Sequence, residues 1–168
     1  MSSVPDCRGG VSKPTLRKIR IMRGELIQHH RDIDRLLSQT RRIAILGIKP
    51  EHRSTQPAYM IPAYLHRAGY EMIPVPVYYP DVTEILGKPV FRDLKAIPGR
   101  IDLLNMFRKS QDLPPHLDDI LAARPRAVWL QSGIHDDAFA ERLVAAGMDV
   151  VQDQCLMVEH RRWRAAQG

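Results

Sequence analysis

The sequence predicts an α/β protein, a doubly wound, five-stranded parallel sheet with an N-terminal helical extension. Two observations predict it. Five short apolar runs, the first being Arg42-Ile-Ala-Ile-Leu-Gly47, read as strands buried on both faces. Segments of helical period separate them, and strands alternating with helices at this spacing call for parallel pairing through crossovers.

Each element follows in order. Residues 1–14 carry Ser, Pro and Gly9-Gly10 and read as a flexible tail. From Thr15, a candidate N-cap, Leu16, Ile19, Met22, Leu26, Ile33 and Leu37 recur at steps of three, four or seven. They predict a basic amphipathic helix over 15–40, in which Gly24 costs about 1 kcal/mol relative to Ala. The domain proper spans 41–164. After the first strand, a polar turn over 49–56 leads to a helix over 58–68, closed by Gly69. Pro62 is placed near its first turn. Tyr70-Glu-Met-Ile-Pro-Val75 is the second strand. Residues 81–98 read as irregular, with a helical turn at 92–96. The third strand is 101–107, followed by a helix over 114–123. The fourth strand is 126–131, followed by a helix over 136–146 that ends at Gly147. The fifth strand is 148–152, and a closing helical segment covers 155–164.

Composition bounds the function. The chain has 168 residues, enough for one domain plus an arm. No apolar run approaches the roughly 20 residues of a membrane span. Cys7 and Cys155 supply neither a disulfide framework nor a four-cysteine zinc site, and a cytoplasmic, reducing location is the expectation. Up to Arg42 the chain holds ten Lys/Arg against four Asp/Glu, an excess of six that equals the whole formal net charge. From Ile43 onward there are fifteen of each. The basic character belongs to the arm, so a nucleic-acid-binding body is not expected.

In such sheets ligands bind outside the C-terminal ends of the strands, so the rim loops hold the candidate residues. Gly47-Ile-Lys-Pro-Glu-His-Arg-Ser-Thr-Gln56 lacks both G-x-G-x-x-G and the P-loop pattern. It offers one glycine for close approach, the cations Lys49 and Arg53, and the hydroxyls of Ser54 and Thr55, an inventory suited to phosphate. Against this stands a solvated loop with ordinary cap residues. The second strand ends at Val75. The third loop presents Phe107-Arg108-Lys109-Ser110, an aromatic beside two cations. The fourth presents Gln131-Ser132-Gly133. The last presents Asp153, able to accept from a ribose or from a loop amide. Catalytic readings are poorer. Cys155 reads as a buried structural cysteine, no histidine pair has metal spacing, and Glu159-His160 reads as water-facing.

These rims together resemble a known family, the small single-domain CoA-binding proteins. Their Rossmann-like domain is similar to that of the succinyl-CoA ligase α subunit and the NDP-forming acyl-CoA synthetases. The carrying segments are Ile43 to Gly47, Tyr59 to Leu65, Ile73 to Val75, Glu84 to Gly87, Phe107-Arg108-Lys-Ser110, Trp129-Leu-Gln131-Ser-Gly133 and Asp153-Gln-Cys155. The resemblance implies CoA or an acyl-CoA across the strand ends. It implies that Gly47 permits close approach and Arg53 meets phosphate. Phe107 and Arg108 would flank the nucleotide, Gln131 and Gly133 would line the floor, and Asp153 would complete the rim. Four positions depart from the pattern. Lys49 stands where a small residue is usual, the first loop looks two residues longer, Pro76-Val77 replaces Asn-Pro, and Gln154 replaces Arg. Lys49 is expected to restore a cation.

The resemblance also implies a binding module without the phosphohistidine domain of the larger ligases. Two other readings stay open. One is an NAD(P)-dependent oxidoreductase, opposed by the single Gly47 and by the lack of an acid at Val75-Pro76. The other is an interaction protein that uses its basic helix on a protein partner or nucleic acid.

Overall fold

The computed structural model describes residues 22–168. The expected tail, the Thr15 cap and the start of the basic helix lie outside the described residues.

The core strands are β1 (Arg42–Leu46), β2 (Glu71–Val75), β5 (Leu103–Met106), β6 (Ala127–Leu130) and β7 (Asp149–Val151). They form one parallel sheet in the order β2-β1-β5-β6-β7. The remaining strands, β3 (Glu84–Ile85) and β4 (Lys88–Pro89), make a small antiparallel hairpin. Its turn residues Leu86 and Gly87 both have positive φ, 55° and 68°, as a two-residue hairpin turn requires. Two-residue strands carry no period, which is why the hairpin falls within the stretch 81–98 expected to be irregular.

Helices cover both faces. On β1, Ile43 and Ile45 join a core with residues of α1 (His30–Gln39), α2 (Pro57–Arg67) and α5 (Leu156–Gln167). Ala44 and Leu46 join the opposite core with residues of α3 (Leu117–Ala123) and α4 (Asp137–Ala145). The strands are therefore apolar on both sides, which is why they read as continuous apolar runs. Asn105 and Gln131 break the pattern near the C-terminal ends of their strands, and both are buried. Pro74 sits in β2, an edge strand, where its missing N–H breaks no ladder.

The basic helix over 15–40 is corrected. Only His30–Gln39 of it is helical among the described residues, and it buries Ile33, Leu36 and Leu37. Residues 24–27 are extended and run beside β7. The Ile27 amide donates to the Val150 carbonyl (2.8 Å), and the Val150 amide donates to the Glu25 carbonyl (2.9 Å). This segment covers the free edge of the sheet. Gly24 is needed for contact, since a Cβ there would collide with the backbone of Met148. The apolar spacing that suggested one continuous helix arises from an extended segment followed by a short helix.

Pro62 lies inside α2, beyond its first turn. A proline there cannot donate to the carbonyl four residues back. That carbonyl belongs to Ala58, and it accepts the Lys49 amide instead (3.1 Å). The proline thus leaves free the group that ties the first rim loop to α2.

Glu159 and His160 are also corrected, because α5 turns them inward against α1 and α2. Glu159 accepts from Arg162 Nε at 2.9 Å and lies 3.2 Å from His30 Nδ1. His160 Nδ1 pairs with the Tyr64 hydroxyl at 2.8 Å.

Candidate functional site

In this strand order the chain runs outward in opposite directions from β1 and β5, which makes the crevice between their C-terminal ends the natural ligand position. The two loops meet there closely. Gly47 has φ +87°, and a Cβ on it would stand 2.5 Å from the Phe107 carbonyl oxygen and 3.3 Å from Arg108 Cδ. Only glycine satisfies both conditions. The Gly47 amide donates to the Val75 carbonyl (2.9 Å), and the Phe107 amide donates to the Leu46 carbonyl (2.9 Å). The backbone thus fixes three strand ends relative to one another.

A cavity of about 640 Å³ opens at this position. One wall is the first turn of α2, from Pro57 to Ile61. The opposite wall is Phe107 to Ser110, and the floor is Gln131 to Ile134. Met60, 42% exposed, forms an apolar lip. The start of a helix is electropositive and suits an anion. Lys49 lies at the same end of the cavity and donates through Nζ to the Gln56 side chain.

Arg108 is largely enclosed. It lies 3.7 Å from Asp112, and its guanidinium carbon sits 5.4 Å from the Tyr78 ring centre. Its buried Nε has no hydrogen-bond partner. Asn105 Nδ2 is likewise buried and unpartnered. Asn105 lies below the floor, where its Oδ1 accepts from Gln131 Nε2 at 2.7 Å. Three buried side-chain polar atoms among the described residues lack partners, and two of them belong to this corner. Buried polar atoms are rarely left unmet unless something else meets them. Nearby His116 is held below the ordinary histidine range, first by burial and then by the positive charge of Arg108.

Five of the expected site residues, Lys49, Phe107, Arg108, Gln131 and Gly133, line this cavity, and Gly47 sits at its hinge. Four do not line it. Arg53 and Ser54 lie at an exposed 3-10 turn (Glu51–Arg53) and its end. Within that turn, Glu51 accepts the Leu86 amide (2.8 Å) and His52 meets the Tyr79 ring edge-on, docking the turn on the β3–β4 hairpin and the residues leading into it. Val75 faces the other core and lines a separate cavity of about 230 Å³ beside His116. Asp153 has φ +53°, and its carboxylate accepts the Gly133 amide (2.6 Å). This is the loop-amide role expected for Asp153.

The sequence reading missed the apolar wall of α2, whose Pro57, Met60 and Ile61 read as ordinary helix. It also misplaced Cys155, which is half-exposed and lines the cavity. The Asp153-Gln-Cys155 signature was the signal that could have found it.

Comparison with known proteins agrees with this fold. Residues 41–161 match the family model described as a CoA binding domain. The uncharacterized protein YneT of Bacillus subtilis is 33% identical over 129 residues, which cover 77% of this chain and 92% of that protein. A Thermus thermophilus protein solved as cell-free ID.343 is 38% identical, with a TM-score of 0.74 over 81% of this chain and 99% of the other. A hypothetical protein from Pyrococcus horikoshii OT3 is 25% identical, with a TM-score of 0.72 over 82% and 93%. No helix among the described residues is long and apolar enough to cross a membrane. The match spans the whole sheet and every rim loop that builds the cavity, and the chain belongs to the CoA-binding domain family.

Proposed function

We propose that this chain binds CoA or an acyl-CoA in the cavity between the ends of β1 and β5, as a binding module without catalysis of its own. The observation that carries this reading is the unmet polarity of that corner. An enclosed arginine with an unpartnered Nε, a lysine and a helix start surround one cavity at the switch point. Lys49, Arg108 and the first turn of α2 are placed to receive phosphate groups. Phe107 offers an aromatic face to the base or an apolar wall to the pantetheine arm. Gln131 and Gly133 form the floor under that arm. Gly47 permits the approach, while Val75 and Asp153 hold the rim backbone in place. Arg53 and Ser54 are left out of the contact set. Among the described residues the lining includes cations, amides, hydroxyls and one thiol, and no carboxylate or imidazole, which favours binding over acid–base chemistry.

Calorimetric titration with CoA, acetyl-CoA, NAD and ATP tests the reading. CoA and acetyl-CoA are expected to bind with Kd on the order of micromolar, about −8 kcal/mol. NAD is expected to be silent. A chain that binds NAD and ignores CoA would overturn the proposal.

A further inference from the structure

The cavity is also lined by a thiol that the binding reading does not use. Cys155 is one of two cysteines in the chain and stands immediately before α5. Its position is fixed from three sides. The Asp153 carboxylate holds the Gly133 amide (2.6 Å), the Trp129 indole N–H donates to the Gln154 carbonyl (2.7 Å), and the Leu156 amide donates to Gln131 Oε1 (3.4 Å). The residues before and after Cys155 are therefore pinned, and its side chain is presented to the cavity.

A second observation points to a ligand in the same cavity. Gln131 is 4% exposed and lines the cavity, and one hydrogen of its Nε2 is taken by Asn105. The other Nε2 hydrogen has no acceptor among the described residues. Beneath it, Asn105 is fully buried and its Nδ2 is unpartnered. An acceptor such as an amide carbonyl of a ligand arm would meet the free Gln131 Nε2 hydrogen, the donor that faces the cavity. A pantetheine arm carries such carbonyls and ends in sulfur.

We infer that Cys155 is a thiol-exchange site that forms a mixed disulfide with CoA. The inference rests on the CoA reading and gives its cavity a redox-dependent, covalent mode. The co-reactant is CoA disulfide. The Cys155 thiolate attacks one sulfur of that disulfide; a new sulfur–sulfur bond forms as the old one breaks. One CoA leaves as thiolate and takes up the proton that Cys155 has lost. One disulfide is consumed and one is made, so no further oxidant is needed. A reducing thiol reverses the step.

The test uses the full chain carrying Cys7→Ser, which leaves Cys155 as its one thiol. The reduced protein is mixed with CoA disulfide or, separately, with glutathione disulfide at equal concentration, and the intact mass is followed in time. One CoA adduct per chain is expected, removed by dithiothreitol. Its formation should exceed glutathione adduct formation by at least about tenfold, because binding holds the reacting sulfur near Cys155. CoA lacking its sulfur should slow it by competition. The doubly substituted chain, with Cys155→Ser added, should gain no adduct. Equal rates with the two disulfides, or no effect of the competitor, would overturn the inference. Calorimetry on the same Cys7→Ser protein separates the two failures. CoA binding without preferential exchange overturns this inference alone, whereas absence of CoA binding overturns the reading beneath it as well.

Discussion

The two ends of the sheet treat their charges in opposite ways. At the N-terminal end of the strands the charged groups face one another or the backbone. Asp102 Oδ2 accepts the amides of both Arg41 and Arg42, each at 2.9 Å. Arg42 donates to the carbonyls of Arg100 (2.6 Å) and Pro98 (3.0 Å) and pairs with Glu71 (3.1 Å). Arg41 caps the end of α1 through the Thr40 carbonyl (2.7 Å). At the C-terminal end the cations line a cavity, and Arg108 Nε and Asn105 Nδ2 are buried without partners. Similar residue types thus serve the fold at one end and line a cavity at the other. Here satisfied polarity belongs to the architecture, and two of the three unpartnered buried atoms among the described residues lie at the candidate site.

Gly47 belongs to both categories, so its substitution gives the largest expected effect. Gly47→Ala forces a side chain into a φ +87° position and against the Phe107 carbonyl. The strain is expected to cost about 2–3 kcal/mol of stability. CoA affinity should fall more than about tenfold, since β1 and β5 must separate to relieve the contact. Denaturant unfolding and calorimetry read the two effects. A Gly47→Ala chain as stable as wild type would contradict the close approach on which the cavity geometry depends.

Asp102→Ala should separate the two ends. Removing this carboxylate takes the charged acceptor from two backbone amides, worth about 1.5–3 kcal/mol for hydrogen bonds to charged groups. The loss should appear in the melting temperature. CoA Kd should change by less than about twofold, because the effects of distant sites add. A large change in Kd with little change in stability would erase the contrast between the ends.

The same contrast explains what was legible in the sequence. The five strands were readable because burial on both faces writes itself as unbroken apolar runs, as in Ile43 to Leu46. The start of α4 was readable at Asp136, whose carboxylate accepts the Phe139 amide (3.0 Å). The extended course of residues 24–27 was not readable, because its partner, β7, lies more than a hundred positions away in sequence. Leu26 fitted a helical stripe equally well by spacing alone. The rim loops were placed correctly by topology, so Lys49, Phe107, Arg108, Gln131 and Gly133 came together as expected. Arg53 did not join them. A cation's presence in a loop does not fix its direction, and here Glu51 and His52 dock the loop on the β3–β4 segment and leave Arg53 exposed. Cys155 looked like core because small apolar residues usually are. Its exposure to the cavity depends on bonds to Gly133, Trp129 and Gln131 that no local pattern reveals.

Lys49 gives the smallest and most discriminating effect. Its side chain lines the cavity, so it either intrudes on the ligand or contributes to its binding. Its backbone is held by Ala58 and its Nζ by Gln56, both at the start of α2. That arrangement points the ammonium along the helix N-terminus, where two positive sources would act on one phosphate. Lys49→Ala is therefore expected to weaken CoA binding by about three- to tenfold, or roughly 0.7–1.4 kcal/mol. Stability should stay within about 0.5 kcal/mol of wild type, since no buried partner is lost. The salt dependence of the Kd should become shallower as one screened charge contact disappears. Tighter binding by the alanine variant would show that the lysine narrows the cavity against the ligand. Unchanged binding would place the phosphate nearer Arg108, on the opposite wall, and Arg108→Ala would then be expected to carry the larger loss.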